Sequence, residues 1–257
     1  MSSYAFRSYE FFLLQYRRVW RTTLVSSLVN PTLYLAALGI GLGKLVNRGP
    51  AGGIGGGSYL HFVAPGLLAA AAMQIAATES SWPVMGSFRW TRTYYAMNAT
   101  PLAAPDILAG QQLFVATRVV ASAAAYLAVI AAFGGVRSPL AVLAVPSALL
   151  VGLAFSAPIA ALAGWSETES IFNALFRFVV MPMFLFSGTF YPVSRLPEVL
   201  QWVAYATPLW HGVELCRDLV LGQAHALADL GHAGYLLLWG LVGLGLAVRT
   251  HRERLLR

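Results

Sequence analysis

The chain has 257 residues, of which 58% are hydrophobic and only 11% charged, with a formal net charge of +7 and a mean hydropathy of +0.66. So apolar and charge-poor a composition excludes a soluble domain of this length. The basic residues are spread along the chain rather than gathered on one face, so nucleic acid is not an expected partner. The lone Cys216 excludes an internal disulfide and offers no thiolate metal site.

A bilayer core about 30 Å thick takes roughly 20 apolar residues per helix. Runs of that kind recur at 24–46, 59–82, 113–133, 140–164, 171–187 and 230–248. They are continuously apolar rather than alternating in short segments, which selects helices over a β-barrel. The expected fold is all-α, a polytopic membrane protein with six transmembrane helices. The first run starts beyond residue 20 and is too long for a signal-peptide core, so it is expected to stay as an anchor.

Residues 1–21 have a different character. Phe6, Tyr9, Leu13, Tyr16 and Trp20 recur at intervals of three and four, while Arg7, Glu10, Arg17 and Arg21 fall largely elsewhere. That is the pattern of an amphipathic helix lying in the membrane surface. Phe11, Phe12 and Leu14 widen the apolar face and leave open that the segment only begins the first span. After that span, NRGPAGGIGGGS reads as a short glycine-rich loop. The neighbouring GIGLGKL is not a phosphate loop, because Leu38 and Leu45 stand where the first glycine and the hydroxyl are required.

The region 83–105 joins the second and third spans. Pro83 ends the preceding helix, and SFRWTRTYYAMN reads as one short helix stopped before TPLAAP. Phe88, Arg89, Trp90, Arg92, Tyr94, Tyr95 and Met97 give it the aromatic, Met and Arg composition of an interface core. A helix resting on the membrane would share that composition. Glu79, Arg118 and Arg177 are charges near span ends. The arginines can snorkel, and Glu79 is placed to pair with one of them as a gate or a structural bridge.

After the fifth run comes FSGTFYPVSRLP. Ser187-Gly188 and Pro192 cut that helix short, Pro197 opens PEVLQWVAYA, which stops before Pro208, and WHGVELCRDLVLG ends at Gly222. Each piece is too short to span. Residues 188–226 are therefore expected to dip in and return as a re-entrant helical hairpin, an external cap over a passage. His211, Glu214 and Asp218 share one helical face, which keeps an intramembrane enzyme as an alternative reading, with Arg217 beside them to neutralise charge. Ser187-Gly188 lacks the first glycine of the intramembrane serine protease motif, Leu185 standing in its place. No catalytic residue and no metal ligand is assigned.

Lys and Arg are retained on the cytoplasmic side. With both termini inside, Arg7, Arg17, Arg18, Arg21, Arg89, Arg92, Arg249, Arg252, Arg254 and Arg257 are cytoplasmic, against Lys44, Arg48, Arg137, Arg195 and Arg217 outside. The chain is expected in the cytoplasmic, or inner, membrane among its lipids, with 249–257 as a basic tail.

The ordered set NPTLYLAALGIGLGKLV, RTYYAMNATPL, FLFSGTFYPVSRLP and ATPLWHGVELCRDLVLG resembles the membrane subunit of an ABC-2 superfamily exporter, of the nodulation-factor or lipooligosaccharide export kind. The resemblance implies a permease with no nucleotide site or cofactor of its own, paired with a second copy or a paralogue. Two separate ATP-binding subunits would hold ATP and Mg. The cargo it implies is an amphipathic lipooligosaccharide, glycolipid or lipophilic drug. Phe88 to Met97 would be the coupling segment that meets the ATPase. Pro182, Ser187, Gly188, Pro192 and Pro197, followed by Pro208, His211 and Glu214, would shape the broken fifth helix and the cap. Glu79, Arg118, Asn173 and Arg177 would be candidates for the route or its gate. Gly110-Gln111 departs from the Gly-Glu usual in such permeases, so no ion pair is expected there. An ATP-independent channel is the other alternative.

Overall fold

The structure is a computed structural model and describes residues 3–18, 20–21, 29, 32–48 and 58–256. Among these residues there is no strand. The first expected span, 24–46, is described only in part, as a π-helical stretch Leu35–Leu42 continued by α2 (Gly43–Arg48). The glycine-rich loop at 49–57 lies outside the described residues. The remaining elements are α1 (Ser3–Tyr16), α3 (Tyr59–Ser80), α4 (Trp82–Arg89), α5 (Thr93–Asn98), α6 (Ala104–Ala132), α7 (Ala144–Trp165), α8 (Ser170–Leu175), α9 (Met181–Phe186), α10 (Glu198–Tyr205), α11 (Pro208–Leu221) and α12 (Ala226–Leu255).

Four stretches among the described residues are long and apolar enough to cross a membrane: Tyr59–Arg89, Ala104–Ala132, Pro139–Trp165 and Ala226–Leu255. A shorter apolar stretch, Ser170–Phe186, is the fifth. Two helices exceed their expected lengths. α6 begins at Ala104 rather than 113, because Pro105 occupies its first turn and the Ala103 amide donates to the Asp106 carboxylate. α12 runs through the expected tail to Leu255, and this end is docked: Arg254 donates to the carbonyls of Ala163, Gly164 and Ser166, while His251 and Leu255 are buried. The last turn of α7, which leaves carbonyls without helical partners, is capped by a guanidinium from another helix.

Small residues bring the helices together. Ala64, Ala69, Ala70, Ala76 and Ala77 of α3 are fully buried, as are Ala144, Ala148, Ala154, Ala160 and Ala163 of α7. Lipid supplies no hydrophobic drive between helices, so close backbone approach and dispersion must hold them. At Gly243 of α12 a Cβ would overlap the Pro158 ring of α7, and at Gly212 of α11 it would overlap Val151.

The long helices alternate in direction. Ser80, Ala104, Trp165, Ser170 and Leu255 gather at one end, here the junction end. Tyr59, Ala132, Ala144, Phe186 and Ala226 gather at the other, the hairpin end. The fifth stretch is α8, then a π-helical segment Phe176–Val180, then α9. Pro182 does not stop it. Its missing N–H and its ring, which would clash in a regular helix, follow directly on the wider π turns. The helix ends instead where the Ser187 amide meets the Met183 carbonyl and Gly188 takes φ +79°.

Two expectations are corrected. SFRWTRTYYAMN is not one helix: the amides of Trp90 and Thr91 both bond to the Gly86 carbonyl, Arg92 adopts φ 51°, and the chain turns between α4 and α5. The aromatic face expected on α1 is also divided. α1 packs lengthwise on α6, with Ala5 and Ser8 buried and Tyr9 bonded to Thr117 at 2.9 Å, whereas Phe6, Phe11 and Leu14 point outward. Gly110 of α6 permits this contact, since a Cβ there would overlap Ser8 and the Tyr9 amide.

Candidate functional site

At the junction end α3 and α6 each place one charge in an apolar setting. Arg118 of α6 donates to Glu79 of α3 at 2.7 Å, and each side chain is about a fifth exposed, at 17% and 20%. The guanidinium lies 4.9 Å from the Tyr16 ring of α1. Behind the pair runs a chain of buried amides: Gln111 donates to the Glu79 carbonyl, Gln112 to Gln111, and Ser156 of α7 to Gln112. Three helices are thereby held at fixed spacing by polar groups that satisfy one another. Gln111 contributes to this chain as an amide that both donates and accepts. The pair borders a cavity of about 440 Å³ under α1, between α3, α4 and α6.

The expected coupling residues separate into two groups. Phe88, Tyr94 and Met97 are buried. The Phe88 ring meets Tyr94 at 4.8 Å and His251 of α12 at 5.1 Å, with the Arg254 guanidinium 4.6 Å from its centre. Phe88 and Tyr94 form a packed block that joins α4, α5 and α12, and Met97 is buried in the same core. Arg89, Trp90, Arg92 and Tyr95 are exposed, Trp90 at 58%, and they ride on the turn that the block supports. His251 was not singled out from the sequence. Its ring is fully buried against Phe88 and Tyr94.

At the hairpin end Arg217 of α11 is the organising residue. It pairs with Glu214 and donates to the Gly188 carbonyl at 2.7 Å and the Phe62 carbonyl at 3.4 Å, with its guanidinium 4.1 Å from the Phe62 ring centre. The broken backbone after α9 is thus tied to α3 and α11. Ser187 bonds to Thr207, whose hydroxyl caps α11 by accepting from the Trp210 amide. Pro192 precedes a short 3₁₀ turn, Pro197 precedes α10, and Pro208 opens α11. Gly222, at φ +74°, ends α11.

The face shared by His211, Glu214 and Asp218 does not make one site. His211 Nδ1 lies 2.7 Å from His232 Nδ1 of α12 and its ring stacks on Tyr235, Glu214 belongs to Arg217, and Asp218 faces Asp229. Burial and the neighbouring His232 hold His211 down at about 4, so its imidazole is neutral at ordinary pH. Burial, with Glu214 and Asp229 nearby, pushes Asp218 up to about 6. Among the described residues no group of three His, Cys, Asp or Glu side chains is arranged to hold a metal ion. Cys216 is buried. Asn173 and Arg177, the other two route candidates, lie one helical turn apart on an exposed face of the fifth stretch and do not join the Glu79–Arg118 pair.

The long apolar helices and the polar network buried between them define a multi-pass membrane protein. The model of the ABC-2 type transporter family matches residues 9–221, and the chain belongs to that family. It is therefore a membrane component of transport. The chain is 33% identical over 246 residues to Nodulation protein J of Rhizobium leguminosarum bv. trifolii, covering 95% of this chain and 91% of that protein. It is 32% identical over 245 residues to Nodulation protein J of R. leguminosarum bv. viciae, covering 95% and 92%. Nodulation protein J of Bradyrhizobium diazoefficiens is 31% identical over 245 residues, covering 95% and 91%. No solved structure matches the chain.

Proposed function

We propose that this chain is the six-span permease subunit of an ATP-driven exporter. It works as a pair with a second copy or paralogue, and separate ATP-binding subunits bind and hydrolyse ATP with Mg. Its cargo is amphipathic: a lipooligosaccharide, a glycolipid or a lipophilic drug. The junction end faces the cytoplasm with both termini, α1 lies in the inner membrane surface, and α10–α11 form the external re-entrant cap. The basic-residue balance and the kinship with Nodulation protein J support this reading.

The observation that carries it is the turn between α4 and α5. Arg89, Trp90, Arg92 and Tyr95 stand exposed on a block that is itself packed on α12 through Phe88 and His251. A push on this turn reaches α12 and, through Arg254, the end of α7. A push biases an equilibrium only through contacts that differ between states, so the ATPase must grip the turn differently with and without nucleotide. Alanine at Arg89, Trp90 and Arg92 together removes the exposed contacts and spares the block. Export should fall sharply while the chain stays folded and ATP hydrolysis persists. Normal export by this triple variant would remove the coupling role.

A further inference from the structure

A cavity of about 400 Å³ lies at the hairpin end, lined from α3, α10, α11 and the chain that leads into the 3₁₀ turn Pro139–Leu143. Its volume falls within the roughly 300–1,000 Å³ typical of small-ligand sites. The Asp, Glu, Lys and Arg residues that line it are Arg137, Glu214 and Arg217. Glu214 and Arg217 are each other's partner, and Arg217 is tied further to the Gly188 and Phe62 carbonyls. Arg137 makes no ion pair among the described residues, which include every Asp and Glu of the chain. His61, whose Nε2 lies 3.3 Å from the Gly134 carbonyl, is able to add positive charge but never negative. The lining therefore carries a positive excess, and Arg137 is its source.

That arginine is held in place. Its amide donates to the Val220 carbonyl of α11 at 3.0 Å, Ser138 beside it accepts from the Leu140 amide, and His61 of α3 meets the Gly134 carbonyl. The segment is thus fastened to two helices before any ligand arrives, which lowers the cost of binding.

We infer that this cavity seats the phosphodiester group of an anionic phospholipid, resident in the leaflet at the hairpin end rather than carried as cargo. A guanidinium meets phosphate oxygens through paired, charge-assisted hydrogen bonds. A diester brings a single negative charge, which balances Arg137, whereas a monoester brings nearly twice that and sets the surplus beside Glu214. The membrane source follows from α10, whose last residue, Tyr205, lines the cavity. Val199, Trp202 and Val203 share one face of α10 and are 75%, 71% and 58% exposed. An apolar helical face carrying Trp rests at the boundary between acyl chains and headgroups. A lipid lying against α10 therefore presents its phosphate at the cavity that Tyr205 borders. The site does not depend on the export reading.

The test is native mass spectrometry of the full-length chain released from detergent micelles and titrated with phosphatidylglycerol. Phosphatidylcholine serves for comparison and inorganic phosphate as competitor. Saturable binding of phosphatidylglycerol is expected, about tenfold tighter than phosphatidylcholine, undisturbed by millimolar phosphate, and about tenfold weaker in Arg137→Gln. Arg195→Gln is the control, since Arg195 follows the lining residue Ser194 without lining the cavity itself; its binding should be unchanged. Both arginines are exposed, so neither variant threatens the fold. Displacement by inorganic phosphate would assign the site to free phosphate and overturn the lipid. Equal binding of phosphatidylcholine overturns the selection by charge. Unchanged affinity in Arg137→Gln overturns the site, and equal losses in the two variants overturn it in favour of diffuse surface charge. Failure of phosphatidylglycerol to bind overturns the proposal outright, and in a chain found as a dimer it would assign the α10 face to a second copy. The readout needs no ATPase and no transport, so its failure leaves the export reading untouched.

Discussion

Each end of the molecule holds one carboxylate–guanidinium pair in a largely apolar setting, and the two are used differently. Glu214 and Arg217 sit one turn apart on α11, and the guanidinium spends its other donors on the carbonyls of Gly188 and Phe62. Arg217 is 7% exposed. Glu79 and Arg118 come from different helices, and their pair opens on a cavity. A buried charge that satisfies backbone carbonyls is a fastener for irregular backbone, which membrane depth tolerates only when its polar groups are covered. A buried pair with one side left facing a cavity is available to a ligand.

The sharpest way to break that contrast is to remove each arginine in turn. Arg217→Leu strands a partly buried carboxylate and two backbone carbonyls, so a loss of about 3–5 kcal/mol is expected. Arg118→Leu strands only Glu79, on the side of a cavity that water can enter, and about 1–3 kcal/mol is expected. Thermal melting of the purified chain in one detergent ranks them. Equal losses would mean that the two ends are fastened alike.

Backbone at the two ends gives the next effect down. Gly110→Leu pushes a side chain into Ser8 and the Tyr9 amide and should lift α1 from α6, at about 1–3 kcal/mol for overpacking. The readout is new protease cleavage within residues 3–16. At the other end Gly188→Ala meets φ +79° and the Val193 side chain. About 1–2 kcal/mol is expected from the left-handed backbone, with no new cleavage near α1. Cleavage appearing at the same site in both variants would show that the ends do not loosen independently.

How much of this was legible depended on which neighbour mattered. Pro197, Pro208 and Gly222 act on their own backbone, so the bounds of α10 and α11 could be read from the chain. Glu79 was conspicuous because a charge in an apolar run must find a partner, but the chain offered Arg118 and Arg177 alike, and the fold selects Arg118. Composition failed where it serves two purposes: Phe88, Tyr94 and Met97 resemble interface residues because aromatics and Met fill cores as well as interfaces. Facial periodicity showed that His211, Glu214 and Asp218 look one way. It could not show that α12 meets them with His232 and Asp229, which divides them. Gln112 and Ser156 gave no signal, and Gln111 only that of departing from a resemblance, since an uncharged polar residue in a span shows its purpose only when the facing helix is known.

Protonation separates the two ends by the smallest expected effect. Asp218 lies on α11, outside the membrane-spanning helices, and burial with Glu214 and Asp229 beside it raises its carboxyl to about 6 from an ordinary value of 3.8. A carboxyl raised in the fold favours the folded state fully below the unfolded value, and that advantage is lost as pH rises through the folded value. The hairpin end should therefore lose a small increment of stability between about pH 4 and pH 6. Asp218 is partly buried, and the solvent that reaches it screens the increment. Asp218→Asn keeps the shape and cannot ionise. Its melting temperature should run flatter across this window and exceed that of the unmodified chain above pH 6, with α1 cleavage unchanged. Parallel melting curves for the two proteins would remove Asp218 as the source, and a pH-dependent change in α1 cleavage would show that the hairpin end speaks to the junction.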